Sequence, residues 1–148
     1  MEILSTIITS LALTTNLVPI VVDVQSATAC IQDECYPVLI GKDTPKGTYG
    51  LKLATTTEPH YKGSVLVFKE DTKGTYAIHR VWNGKPSERR NERLKGTVSD
   101  RLITNGCINV SDDTYEIFKS HRKVIIKWII QDSTLSTGLI LHLTIWIM

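Results

Sequence analysis

Along the chain, short apolar runs alternate with polar positions and are broken by turn residues, the pattern expected of half-buried strands. Val21-Val22-Asp23-Val24 opens the series, as part of a strand from Ile20 to Val24. Tyr36-Pro37-Val38-Leu39-Ile40-Gly41-Lys42 reads as a second strand, and Thr44-Pro45-Lys46-Gly47-Thr48-Tyr49 as the turn after it, punctuated by Pro and Gly. Val65-Leu66-Val67-Phe68 and the run from Thr75 to Trp82 form the next pair, separated by the polar turn Lys69 to Gly74. Val124 to Ile130 supplies a closing strand. Two stretches read as helical instead. Pro86 to Gly96 has proline near its start and glycine just past its end, and predicts one short charged helix. Asp112 to about Lys119 predicts another, with Asp112, Asp113 and Glu116 as the acidic first turn that favours the helix dipole. The fold class is therefore mainly β: a single domain with a sandwich-like or barrel-like core and one or two short helices.

Both ends depart from this pattern. Ile3 to Val18 is apolar and shorter than a membrane span, so residues 1–19 read as a signal-peptide-like segment, although Met1-Glu2 lacks the usual positive charge. Cleavage at Ala27-Thr28-Ala29 would remove the first strand, so any cleavage is expected before about Ile20. The domain then spans residues 20–131. Residues 132–148 form an apolar extension, too short to cross a bilayer as a helix, with no assigned role.

Composition narrows the function. At 148 residues, 42% of them hydrophobic, the chain can build one ordinary core. A formal net charge of +2 gives no case for nucleic acid as a partner. No phosphate-cradling glycine loop, CxxC pair, HExxH or internal repeat occurs. The expectation is an exported protein of the periplasm or cell envelope with no metal, no cofactor and no stable protein partner.

The candidate chemistry lies in Thr104-Asn105-Gly106-Cys107-Ile108-Asn109 together with His79. Gly106 permits a sharp turn that sets backbone N–H groups of Asn105, Gly106 and Cys107 beside the sulfur, where they can hold an oxyanion. Thr104 and Asn109 are short polar residues able to bond local backbone, and both are expected among the substrate-binding residues. An imidazole at the end of a strand can take the thiol proton and leave the thiolate that attacks a carbonyl. No acidic residue is placed to orient His79, which leaves a neighbouring carbonyl, that of Arg80, for the task. Cys30 and Cys35 flank the polar turn Ile31-Gln32-Asp33-Glu34. Their spacing admits a hairpin disulfide, with Cys107 left free, or two reduced thiols; the disulfide is the expectation, and it suits an oxidising compartment.

These residues resemble the L,D-transpeptidases with a YkuD-type catalytic domain. The resemblance runs through the opening strand, the Thr44-Pro45-Lys46-Gly47 turn, the Ala77-Ile78-His79-Arg80 strand and the loop from Asp100 to Val110, in the family's order over roughly residues 20–118. It implies a thioester on Cys107, formed on peptidoglycan stem peptides with His79 as base and resolved by an amine. With water as acceptor the enzyme would be an L,D-carboxypeptidase; a relative that only binds cell-wall peptides or a partner is the remaining alternative. Two departures stand out: Asn105 replaces the histidine that precedes the family's Gly-Cys, and the stretch from His79 to Thr104 is longer. Within it, Arg89, Arg90 and Arg93 are read as a solvated face with ion pairs worth roughly 0.3–0.5 kcal/mol each. Arg101, close to the loop, is assigned to grip substrate carboxylates, and Trp82 to wall the cleft. His60 is read as solvated, and His121 and His142 as uninvolved.

Overall fold

The computed structural model describes residues 17–129. Among them, in chain order, are strands β1 (Ile20–Asp23), β2 (Thr28–Ile31), β3 (Glu34–Pro37), β4 (Gly47–Gly50), β5 (Lys52–Thr55), β6 (Ser64–Asp71), β7 (Gly74–Arg80), β8 (Ile108–Val110) and β9 (Lys123–Lys127). The helices are α1 (Arg90–Leu94), α2 (Val98–Arg101) and α3 (Asp112–Phe118), with single 3-10 turns at Pro59–Tyr61 and Pro86–Glu88. One sheet has the order β3-β2-β1-β9-β4 and the other β5-β6-β7-β8. The domain is mainly β, as the alternating pattern predicts. The expected apolar end segments fall almost wholly outside the described residues, as does His142.

Alternation explains the layers. In β9, Val124 and Ile126 are buried while Lys123 and Lys127 are exposed, and Ile20, Val22, Leu66 and Ile78 join them in one core. β1 is central, parallel to β9 on one side and antiparallel to β2 on the other. α3 closes the core with Tyr115 and Phe118. It starts where Ser111 Oγ accepts from the Thr114 N–H, with Asp112 and Asp113 in the first turn; Glu116 lies further along and pairs with Arg80.

Several boundaries differ from expectation: β9 ends at Lys127, short of Ile130, and β7 ends at Arg80, short of Trp82. The second strand stops at Pro37, which has no N–H to continue the ladder, and the chain crosses to the other sheet. Leu39 there exchanges backbone bonds with Asn109, and Ile40 donates to the Arg101 carbonyl. The turn after it ends early, because Gly47 already belongs to β4. The turn between β6 and β7 shrinks to Thr72-Lys73, since Asp71 Oδ1 accepts the Lys73 N–H and Gly74 adopts φ +142. The helix expected over Pro86 to Gly96 is split at Arg89, whose φ of +49 ends the 3-10 turn before α1 begins.

Cys30 and Cys35 face each other in the β2–β3 register and form a disulfide. With a sequence separation of 5, the loop it closes is short, and the chain-entropy relation gives about 2 kcal/mol of stabilisation. The Cys30→Ala/Cys35→Ala double variant is expected to lose about that much in urea unfolding. The reduced wild-type protein should match it; an unchanged midpoint in both would show the bridge is not formed.

Candidate active site

Parallel pairing of β7 with β8 sets His79 opposite Asn109. Cys107 lies in the loop that leads into β8, two residues before Asn109. All three residues line a single cleft of about 890 Å³. The loop carrying Cys107 is seated by two glycines. A Cβ on Gly41 would lie 2.2 Å from the Thr104 carbonyl oxygen, and one on Gly106, at φ +131, would lie 2.6 Å from the Tyr76 ring. Only glycine permits this approach. Thr104 fastens the loop from within: its hydroxyl donates to the Cys107 carbonyl at 2.6 Å and accepts the Gly106 N–H at 3.3 Å. Of the three N–H groups expected to hold an oxyanion, that of Gly106 is thus engaged inside the loop.

His79 is buried, at 3% exposure. A carbonyl can only accept, so the Nδ1–H donates to Arg80 O at 2.7 Å and Nε2 is the free acceptor. Burial pushes the ring down to about 4, with the Arg80 bond acting against this and the nearby Arg90 charge with it. The imidazole is neutral at pH 7. The Tyr61 ring lies 4.1 Å from it, centroid to centroid, and seals one side. Tyr61 is held there because Arg80, on the opposite face of β7 from His79, donates Nη1 to the Tyr61 carbonyl at 2.9 Å.

Cys107 is half-buried and free of disulfide. Burial pushes its thiol up, against smaller opposing effects from the Ala77 backbone and Arg90. Its Sγ–H donates to the Thr75 carbonyl at 3.8 Å. The resting pair is therefore thiol and neutral imidazole, in place of the thiolate suggested by the sequence. Proton transfer must accompany attack on a carbonyl.

Two arginines exchange the places expected for them. The Arg101 guanidinium is turned to backbone, donating Nη1 to Gly96 O at 2.8 Å and Nη2 to Ser26 O at 2.9 Å while its Nε is buried without a partner, and it does not line the cleft. It staples the loop to the β1–β2 turn. Arg90 does line the cleft, with its side chain only 14% exposed. Trp82 walls the cleft beside it, with Arg90 Cζ 5.2 Å from the ring centroid. Thr104 and Asn105 also line the cleft; Asn109 does so while fully buried. His60 is half-exposed and bonds Glu58 at 2.7 Å, whereas His121 is buried and held by Val18 O at 2.8 Å.

The sequence reading passed over Tyr61, Lys42, Lys46 and Lys73 as cleft residues. Lys46 sits in the turn singled out around Thr44-Pro45, a usable signal, and Lys42 ends the stretch expected as the strand before it; Tyr61 and Lys73 lie on turns distant in sequence from Cys107. Among the described residues, no group of three or more His, Cys, Asp or Glu is placed to hold a metal ion. No protein-family model matches the chain, and none of the curated proteins matches it.

Two pH responses follow. Between about 6.5 and about 4 the unfolded His79 ring takes up a proton that the buried ring refuses, so stability falls as pH falls through this window. The slope is at most about 1.4 kcal/mol per pH unit from this group. Subtracting the unfolding curve of His79→Gln should isolate it; identical curves would show that His79 titrates normally. The rate of Cys107 alkylation by iodoacetamide is expected to climb only at alkaline pH, above the ordinary thiol value of 9.0. A rate plateau between about pH 5 and 7, the mark of a resting thiolate, would contradict the neutral pair.

Proposed function

We propose that the protein is a cysteine acyltransferase acting on peptidoglycan stem peptides, an L,D-transpeptidase. The observation that carries this reading is that Cys107 and His79 line one cleft, His79 on β7 and Cys107 on the loop entering its partner strand β8. In the proposed reaction, Sγ attacks the carbonyl on the L-centre of the diamino acid while His79 Nε2 takes the thiol proton. The tetrahedral oxyanion is received by the backbone N–H groups of Asn105 and Cys107, since that of Gly106 is held by Thr104. Collapse breaks the amide bond, His79 returns the proton to the departing D-alanine amine, and the acyl group remains on sulfur as a thioester. An amine from a neighbouring stem then displaces the thiol, with its proton passing through His79. Water in that role would give a carboxypeptidase. The neutral resting thiol favours one further reading, a protein that binds such peptides without acylation. The Cys30–Cys35 disulfide supports an oxidising compartment such as a periplasm.

Incubation with a carbapenem, a drug class that acylates this family, is expected to add one drug mass to Cys107. Cys107→Ala should abolish the adduct, and His79→Ala should slow it by about 10²-fold or more. No adduct on the wild-type protein would overturn the acyl-transfer reading. Purified muropeptides then separate transfer, which yields cross-linked dimers, from hydrolysis, which yields tripeptides alone.

A further inference from the structure

Arg90 is built into the cleft wall in a way that a solvated arginine is not. It opens α1, and Leu94, four residues on and so on the same helix face, is 6% exposed in a small cluster with Leu39 and Val81. That anchor fixes the side of the helix from which Arg90 projects. The guanidinium is then oriented by three neighbours: Nε donates to Glu88 Oε2 at 2.6 Å, Nη1 donates to Asn109 Oδ1 at 3.0 Å, and Cζ lies over the Trp82 ring at 5.2 Å from its centroid. Glu88 takes Nε and Asn109 takes one Nη1 hydrogen, which leaves Nη2 and the second Nη1 hydrogen as the donors without a partner.

Asn109 adds a second, independent observation. Its backbone is locked to Leu39 through both N–H and C=O, and its side chain is fully buried. Oδ1 accepts from Arg90 Nη1 and also from the Trp82 N–H at 3.4 Å. Two donors on that side fix which way the amide faces, so Nδ2 points away from them, and no protein atom accepts from it. An orphaned buried donor costs about 1–3 kcal/mol. A buried donor left over in the wall of a cleft, next to an oriented guanidinium, is a fitting partner for an incoming acceptor.

The charge around the site selects the acceptor. Lys42, Lys46 and Lys73 line the same cleft with Asp43 as the acidic residue among them, which favours an anion. Glu88 beside Nε penalises a dianion more than a monoanion. A planar monoanion with two oxygens matches what the Nη edge offers.

We propose that Arg90 and the Asn109 amide form a carboxylate subsite beside Cys107, which takes the free terminal carboxylate of a peptide whose last amide bond is attacked. This rests on the acyl-transfer reading. Arg90 lies close enough for its charge to act on both His79 and Cys107, and all of these residues line one cleft with Asn109. The site assigns to Arg90 the task that proximity in sequence would give to Arg101.

Calorimetry on Cys107→Ala protein tests this with two ligands, an N-acetyl tetrapeptide stem ending in D-alanine and the same peptide as its terminal amide. The free acid is expected to bind about 10-fold to 100-fold more tightly, the range of a charge-assisted hydrogen bond. Adding Arg90→Gln should bring the two affinities within about 3-fold, and Arg90→Lys, which keeps the charge but loses the fork, should fall between. Equal binding of acid and amide, a preference that survives Arg90→Gln, or binding of neither peptide would overturn the subsite. Acid preference in a protein that forms no carbapenem adduct would uphold the subsite and overturn acyl transfer; an adduct without acid preference would do the reverse.

Discussion

The pairing of β7 with β8 is the constraint on which the site depends. It is a parallel contact three residues long, Ile78–Ile108, His79–Asn109 and Arg80–Val110, and a slip of one residue would turn every side chain to the other face. In the register present, Ile78, Ile108 and Val110 are fully buried, so the core itself holds His79 and Cys107 on the cleft side. The same alternation sends Arg80 the opposite way. There it meets Glu116 and the Tyr115 ring, 4.1 Å from Cζ, and ties the Tyr61 turn by its carbonyl. One short strand pair thus positions the imidazole, its aromatic cover and the helix behind it.

Burial then decides the electrostatics. Removing His79 from water disfavours its cation by more than the Arg80 carbonyl bond favours it, and the thiol is likewise held in its neutral form. A neutral pair avoids the cost of two charges in a half-closed wall. Arg90 is the cation whose charge acts on both groups.

Much of this was legible in the chain. Alternating apolar runs identified β1, β6, β7 and β9 and part of β3, whereas β2, β5 and β8 were not predicted and β4 lies largely in a stretch expected to be a turn; the leftover cysteine after the Cys30–Cys35 hairpin identified Cys107. Local rules served less well where tertiary contacts took over. Proximity suggested Arg101, six residues before Cys107, but its donors satisfy the carbonyls of Gly96 and Ser26, the latter 75 positions away in sequence. Arg90 sits in a charged run that looks solvated, and only Leu94 in its small cluster shows that the run is anchored. Likewise the apolar stretch from Tyr36 to Lys42 carries no mark of the point where it leaves one sheet for the other, apart from Pro37. The Thr104 hydroxyl bond to the Gly106 N–H depends on loop geometry that composition does not encode.

The bonds between Leu39 and Asn109 carry a consequence for how a ligand lies. β8 would otherwise be the outer strand of its sheet, with a row of free N–H and C=O groups beside the nucleophile. Leu39 takes both backbone groups of Asn109, at 2.9 and 2.8 Å, and Ile40 accepts the Thr104 N–H at 3.2 Å. That edge is closed to β-augmentation, in which an extended peptide is recognised by adding itself as another strand. A peptide approaching Cys107 must instead cross the strand ends. Its register is then read by side-chain and terminal groups, with little help from its main chain along this edge.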